Sequence, residues 1–360
     1  MFITGLGMGG AENIVVSLAD NLSLRGHDLL IVYLTGEALV MPKNPNIKVV
    51  SIGITSARDF LIAFHKVRKV LKEFRPDVVH SHMVHANIMA RLLRLTMKIP
   101  RLICTAHSNN EGGRMRMLAY RITDSLADIS TNVSASAVSS FIRKGAVKEG
   151  RMISVPNGIN VDKFKYDPCA RQDIRASLNV HSKQLILAVG RLEPAKDYPL
   201  LFASITLLKK RTSNFTVIIV GEGTLKKELE ILIEKMGIQD YVNFIGVRRD
   251  IAKIMSAADV FVLSSAWEGF GLVVAEAMAC ERMVVATDCG GVKEILGETN
   301  VLVPLKSPSL LADGLFNSLK LSETEKTEMG KKSRMRIIEK YSLSLMADKF
   351  LSMYVEKPVN

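Results

Sequence analysis

A chain of 360 residues with 48% hydrophobic residues, 24 glycines and a mean hydropathy of +0.18 is long enough for two globular domains with separate cores, and this composition excludes coiled-coil and disordered classes. No run reaches the ~18 apolar residues of a membrane span, no basic leader is evident, and Cys104, Cys169, Cys280 and Cys289 lack C-x-x-C spacing, so reduced, mostly core thiols in a cytoplasmic chain are expected. The net charge of +12 is uneven: residues 1–165 hold 22 Lys and Arg against 12 Asp and Glu, and residues 166–360 hold 26 against 24.

The chain opens MFITGLGMGG, where Gly5, Gly7 and Gly10 satisfy G-x-G-x-x-G, by itself a weak pointer to dinucleotide binding. Only Met1 to Thr4 precede these glycines, short of the ~5–6 residues of a usual core strand, which points to a natural start a few residues upstream. Strands are then expected over 29–35 and 47–53, a helix over 59–74, a strand over 77–82 and a helix over about 87–96. A strand over 101–107, a helix after Glu111-Gly112-Gly113, a strand over 127–133 and the short helix ASAVSSFIRKG complete the first series. VPNGINVDKF (155–164) breaks the periodicity, and a polar stretch runs on to about His181. In the second series the strands LILAVGRL, FTVIIVGEG, VNFIG, DVFVLSS, MVVATD and VLVP alternate with helices over 198–210, 224–236, 250–256 and 272–279. A charged helical region (322–341) and an amphipathic helix (341–354) follow. The reading is α/β: two doubly wound, Rossmann-like domains, 1–165 and 166–341, the first completed by a helix at about 342–360. The cleft between them, at the carboxyl ends of the strands, is the expected site.

The most informative stretch is SSAWEGFGLVVAEAMA, which sets Glu268 in a glycine-bearing turn and Glu276 eight residues later on a helix. Both carboxylates can face one ligand, and the free N–H groups at Gly271 and Leu272 suit a phosphate. In VGRLEPAKD, Arg191 follows a strand and Lys196 precedes a helix; a guanidinium fork and a mobile ammonium could clamp a diphosphate. No DxD triplet or metal-spaced group stands near a strand end, so no metal is expected and these cations would replace Mg²⁺. His80 and His82 are read as projecting from opposite faces of their strand, which argues against a metal pair, and His107 ends a strand at the expected mouth of the site. The bland alternatives are a solvated carboxylate pair, solubility cations and a core-edge histidine.

These stretches together resemble the retaining glycosyltransferases of family 4, with the GT-B fold. The resemblance rests on GLGMGGAEN, TAHS (105–108), VPNGINVDKF, VGRLEPAKD, VGEGTLKKELE, VNFIGV and EGFGLVVAEAMA through VVATDCGGVKEIL, spread over about 300 residues. It implies that Gly9 and Gly10 approach the donor phosphate and that Arg191 and Lys196 hold the diphosphate. Glu268 would stand near the donor sugar hydroxyls, Glu276 on the ribose and Val247 by the base. Phe270, Gly271 and Leu272 would hold the sugar and β-phosphate through main-chain contacts, and His107 would line the sugar site. The chain departs from the family in CERMVV (280–285), where a Gly and a Pro are usual, and at Lys293, beside the position of a common Pro.

The implied reaction is metal-independent transfer of a hexose or N-acetylhexosamine from a nucleotide-diphosphate sugar, UDP-linked ahead of GDP-mannose, with retention. The implied acceptor is a lipid-diphosphate-linked saccharide of surface polysaccharide (O-antigen or capsule) synthesis. The basic first half, with the apolar and basic helix DFLIAFHKVRKVLKEF, predicts peripheral attachment to an anionic membrane surface from the cytoplasmic side. Nucleic acid comes last among anionic partners, since no zinc-finger, RRM-like or homeodomain-like signature is present; the oligomeric state stays open. The alternatives are a nucleotide-sugar epimerase or NAD-dependent oxidoreductase and, third, a non-catalytic membrane-surface protein. The acid after the second strand is Glu37, well beyond the ~20-residue offset of a dinucleotide fingerprint, which weakens the hydride reading.

Overall fold

The computed structural model describes residues 1–109, 111–180 and 183–355. They divide into two compact units, Met1–Gly158 with the segment from Leu343 onward, and Ile159–Ser342.

In the first unit β1 (Phe2–Gly5), β2 (Leu30–Thr35), β3 (Lys48–Ile54), β4 (Val78–His82), β5 (Arg101–Ala106), β6 (Ile129–Asn132) and β7 (Met152–Ser154) pair in the order β3-β2-β1-β4-β5-β6-β7, all parallel. Helices α1 (Gly10–Leu24), α2 (Phe60–Phe74), α3 (Val84–Leu93), α4 (Arg114–Thr123) and α5 (Ala135–Arg143) connect them. The central strands are apolar on both faces because helices cover both: Phe2, Val32, Leu34 and Leu102 belong to one core, and Ile3, Ile31 and Val15 to another.

Helix α3 begins three residues earlier than expected. Met83, at φ 71° and ψ 159°, turns the chain straight from β4 into the helix, a backbone state that is costly for any residue with a Cβ. The apolar positions of α2 mostly face inward: Val67 and Leu71 are buried, Phe64 and Phe74 pack on the core, and only Phe60, Leu61 and Ile62 at its start are exposed. The final helix, α14 (Leu343–Val355), belongs to this unit. The Arg101 guanidinium donates to the Met353 carbonyl at 2.8 and 3.0 Å, and the Phe350 and Tyr354 rings flank His80. The remainder of the expected helix, residues 356–360, and the end of the polar stretch at His181 lie outside the described residues.

In the second unit β8 (Gln184–Val189), β9 (Phe215–Val220), β10 (Val242–Phe244), β11 (Val260–Leu263), β12 (Met283–Thr287) and β13 (Val301–Val303) form a parallel sheet in the order β10-β9-β8-β11-β12-β13. Helices α7 (Tyr198–Leu208), α8 (Lys226–Lys235), α9 (Ile251–Ala257), α10 (Leu272–Ala279), α11 (Val292–Leu296), α12 (Pro308–Lys320) and α13 (Glu323–Tyr341) surround it. The stretch read as a polar linker contains α6 (Pro168–Ser177), capped by Asp167, which accepts from the Cys169 and Ala170 N–H groups at 3.0 Å, with Pro168 in the first turn. Only Ala170 and Ile174 of α6 are buried, too few to leave an apolar period, whereas the Asp-Pro start was a usable signal. Its outer charges turn inward instead: Arg171 and Arg175 both pair with Asp259, at 2.5 and 3.1 Å.

All four cysteines are free; Cys104, Cys280 and Cys289 are buried and Cys169 is exposed. Among the described residues no helix is long and apolar enough to cross a membrane.

Candidate active site

In each sheet the strand order reverses once, between β1 and β4 in the first unit and between β8 and β11 in the second. Open parallel sheets take ligands beyond the carboxyl ends of the strands at such a switch point, because the loops there diverge and leave a crevice.

At the β8/β11 switch point two loops meet. The one after β8 carries Arg191 and Lys196; the one after β11 carries Glu268 and runs to Gly271. The Ala266 N–H donates to the Ala195 carbonyl at 2.9 Å, and the Ser264 hydroxyl donates to the Lys196 carbonyl at 2.8 Å. From β12, the Thr287 hydroxyl donates to the Ser265 carbonyl at 2.6 Å. The β8 loop is also pressed against the β9 loop: a Cβ on Gly221 (φ +144°) would stand 2.0 Å from the Gly190 carbonyl oxygen, so only glycine allows this approach.

Within this frame Lys196 Nζ donates to Glu268 Oε1 at 2.5 Å, and the Ser265 hydroxyl donates to the same oxygen at 2.8 Å. Both partners are largely withdrawn from solvent, at 19% and 15% side-chain exposure, so their attraction is weakly screened. Arg191 is exposed and makes no ion pair or side-chain hydrogen bond among the described residues. One cation is therefore held by an internal carboxylate and the other is open to a ligand.

Gly271 sits at φ +100° as the N-cap of α10, and a Cβ there would meet Val292 Cγ2 at 3.0 Å. Leu272 is the first helical residue, and its N–H belongs to the unpaired first turn. Phe270 is buried, with its ring 5.7 Å from that of Tyr341, so its side chain is core. Glu276 lies one turn along α10, half-buried and without a side-chain hydrogen bond among the described residues. Burial pushes its carboxyl up to about 7, with the Lys163 ammonium opposing. Val247, past the end of β10, is 55% exposed, an apolar side chain free to meet a flat ring.

At the β1/β4 switch point, Gly9 caps α1 and Gly10 begins it. A Cβ on Gly9 would stand 2.3 Å from Glu12 Oε2, which places that carboxylate over the positive end of the helix. His107 follows β5. Its backbone N–H donates to Glu111 Oε1 at 2.8 Å, and its ring Nε2 is 3.1 Å from His82 Nδ1. Burial lowers its ring to about 4, so it is neutral near pH 7. The expectation that His80 and His82 point to opposite faces is wrong. Side chains alternate along a strand, so residues two apart share a face, and the two rings lie against each other with centroids 4.0 Å apart and planes tilted by 37°. Among the described residues no group of three or more His, Cys, Asp or Glu is placed to hold a metal.

Comparison with known proteins decides the family. The family described as Glycosyltransferase Family 4 matches residues 8–163, and Glycosyl transferases group 1 matches residues 170–336. The chain belongs to the family 4 glycosyltransferases. It is a retaining, nucleotide-sugar-dependent transferase of GT-B fold. It is 25% identical over 376 residues to the N-acetylgalactosamine-N,N'-diacetylbacillosaminyl-diphospho-undecaprenol 4-alpha-N-acetylgalactosaminyltransferase of Campylobacter jejuni, covering 98% of each chain. It is also 25% identical, over 81% of this chain and 78% of the other, to the UDP-Gal:alpha-D-GlcNAc-diphosphoundecaprenol alpha-1,3-galactosyltransferase of Escherichia coli. Among solved structures, Anabaena HepE in complex with UDP-glucose superposes with a TM-score of 0.84 at 21% identity, covering 98% and 97% of the two chains.

Of the residues expected from the sequence, the transferase brings Lys196 and Glu268 into direct contact and sets Arg191, Gly271 and Leu272 on the loops and helix start of the same switch point. Gly9, Gly10 and His107 stand at strand ends of the first unit. Sequence reasoning missed Ser265 and Thr287, which hold the Glu268 loop, and His82, which touches His107. His82 could have been found by applying strand alternation correctly. Thr287 left no local signal, because the Ser265 carbonyl it binds lies 22 residues away, whereas Ser265 stands only three residues before the Glu268 it holds.

Proposed function

We propose that Ile159–Ser342 binds a nucleotide-diphosphate sugar at the β8/β11 switch point and that the first unit serves the acceptor, a saccharide carried on a lipid diphosphate. The observation that carries this reading is the Lys196–Glu268 pair, with an exposed Arg191 on the loop that carries Lys196. A diphosphate arriving there meets Arg191 at once and competes with Glu268 for Lys196. The carboxylate, released from part of that contact, can accept from hydroxyls of the donor sugar. As the sugar–phosphate bond breaks, negative charge grows on the leaving diphosphate, and Arg191, Lys196 and the N–H groups at Gly271 and Leu272 would stabilise it. The acceptor hydroxyl attacks the anomeric carbon on the face the diphosphate leaves, and its proton passes to a diphosphate oxygen, which gives retention. Glu276 would accept from the ribose hydroxyls, Val247 would lie by the base, and Gly9 and Gly10 would admit the phosphate where a side chain would intrude.

A UDP-linked sugar is favoured over GDP-mannose as donor, since the Escherichia coli relative is named for UDP-Gal. Both relatives named above act on diphosphoundecaprenol-linked sugars, which supports the same acceptor class here. The decisive assay offers UDP- and GDP-hexoses with a lipid-diphosphate disaccharide and follows nucleoside diphosphate release and lipid-linked product. Product from a UDP-sugar, undiminished in EDTA, is the expected result. Oxidation or epimerisation of the donor without acceptor would refute it.

Attachment of the first unit to an anionic membrane on its cytoplasmic side fits the surplus of positive charge before residue 165. The surface best suited to it is α4 rather than α2. Met115, Leu118 and Ile122 are 78%, 50% and 69% exposed at helical spacing, with Arg114, Arg116 and Arg121 interleaved. Sedimentation with vesicles should show binding to acidic but not neutral lipid, weakened by salt. Leu118→Glu should reduce binding severalfold while leaving nucleotide affinity unchanged.

A further inference from the structure

Three histidines cluster on β4 and just past β5, and the family resemblance gives a role at the sugar site to only one of them, His107. His80 is fully satisfied: Nδ1 lies 2.7 Å from the Tyr354 hydroxyl on α14, and Nε2 lies 2.7 Å from Thr105 Oγ1. His82 and His107 are not. They share one contact, His82 Nδ1 to His107 Nε2 at 3.1 Å, and the far nitrogen of each ring, His82 Nε2 and His107 Nδ1, is buried with no partner among the described residues.

Two neutral imidazoles joined nitrogen to nitrogen hold one proton between them, and this constrains both rings. If His82 Nδ1 donates, His107 must carry its own proton on Nδ1 and presents a donor there. If His107 Nε2 donates, its Nδ1 is a lone pair. The free end of His107 therefore cannot change character unless His82 changes tautomer as well. The neighbourhood of both residues is also fixed. The His82 ring packs at a tilt against His80, which the Tyr354 and Thr105 contacts pin, and the His107 backbone is tied to Glu111. Met83, immediately after His82, sits in the strained conformation noted above, as if the end of β4 were bent to aim this side chain.

We propose that His82 is a positioning residue of the transferase, holding the His107 ring in one tautomer and one orientation so that the ring keeps a single hydrogen-bonding character at the sugar site. This rests on the reading that His107 lines the sugar site. His82 itself touches no substrate in this scheme. Its effect passes through one contact, and misplacement of a contacting group can cost large factors in rate.

The test uses the full chain, ¹⁵N-labelled at histidine, with H82N and H82F. Asparagine places an amide close to where the imidazole Nδ1 stands; phenylalanine keeps the bulk and loses the hydrogen bond. In the wild-type protein and in H82N, the His107 nitrogens should show the shifts of one neutral tautomer. In H82F they should move to the average of two. Kinetically, H82F should lose about tenfold or more in kcat, with the UDP dissociation constant unchanged, and H82N should recover most of that loss. Unchanged His107 shifts in H82F, or equal kcat losses in H82N and H82F, would reduce His82 to a packing residue and overturn the proposal. An H107A enzyme with wild-type kcat would instead remove His107 from the sugar site, while the nitrogen shifts would still report whether His82 governs its ring.

Discussion

The two switch points of the transferase are built from the same topology and furnished in opposite ways. Beyond β8 and β11 the functional groups are formal charges, Arg191, Lys196 and Glu268, and the loops that carry them are stitched to each other and to β12 by backbone and hydroxyl hydrogen bonds. Beyond β4 and β5 the groups are neutral imidazoles with unfilled hydrogen-bonding capacity. The glycine loop nearby has open space, and a Cβ on Gly7 would meet nothing within 4 Å. A charged ligand of constant chemistry, the diphosphate, rewards rigid preorganised charge, because dipoles already oriented need no reorganisation as charge develops. A neutral saccharide is recognised by hydrogen-bond direction, and a loose loop can be re-cut for another saccharide without disturbing the fold. One topology thus carries a charged switch point and a neutral one.

Breaking the charged half should have the largest effect. Lys196→Ala removes a cation that the leaving diphosphate needs more in the transition state than in the ground state, so kcat should fall by roughly 10²–10³-fold, measured by single-turnover transfer. A raised KM at unchanged kcat would mean that the switch point only tethers the donor.

A smaller effect is expected at Glu276. Its loss in Glu276→Ala should weaken UDP binding by ~1.5–3 kcal/mol in calorimetry, the range for a charged hydrogen-bond acceptor. Because burial pushes this carboxyl up to about 7, the ionised form that accepts from ribose is gained only as pH rises through that value. Affinity should therefore climb between pH 6 and 8 and flatten in Glu276→Gln. The stability of the unliganded protein should move the other way. A carboxyl raised on folding favours the folded state while protonated, and that advantage is lost as pH climbs from the ordinary carboxylate range through about 7.

The smallest effect sharpens the comparison by touching scaffold alone. Glu281, in the turn after α10 where related chains usually carry a glycine, sits at φ 60°, beside a close approach of Gly330 to its carbonyl. Glu281→Gly should raise stability by about 0.5–1 kcal/mol, relief of left-handed strain less the added freedom of the unfolded chain, with kcat unchanged. A loss of activity in thermally stabilised protein would show that the turn is coupled to the site.

How far the sequence reached depended on distance along the chain. FTVIIV and LIVYLT had to be buried parallel strands, since a run apolar on both faces is stable only between two helical layers. Glycines at tight turns, the Asp-Pro start of α6 and the helix in LVVAEAMA are likewise local matters of backbone sterics and capping, and each was present in a short window whether or not it was read. Which side chains meet was not local. Lys196 reaches Glu268 across 72 residues and His82 reaches His107 across 25, because parallel strands adjacent in the sheet are separated in sequence by whole crossovers. Of two cations that look equivalent in VGRLEPAKD, one ends up paired and the other unpaired among the described residues, and two histidines assigned to opposite faces lie ring against ring. Strand order alone decides such outcomes: it sets which loops share a switch point, and a side chain's partner, desolvation and protonation state follow from that neighbour rather than from anything beside it in the chain.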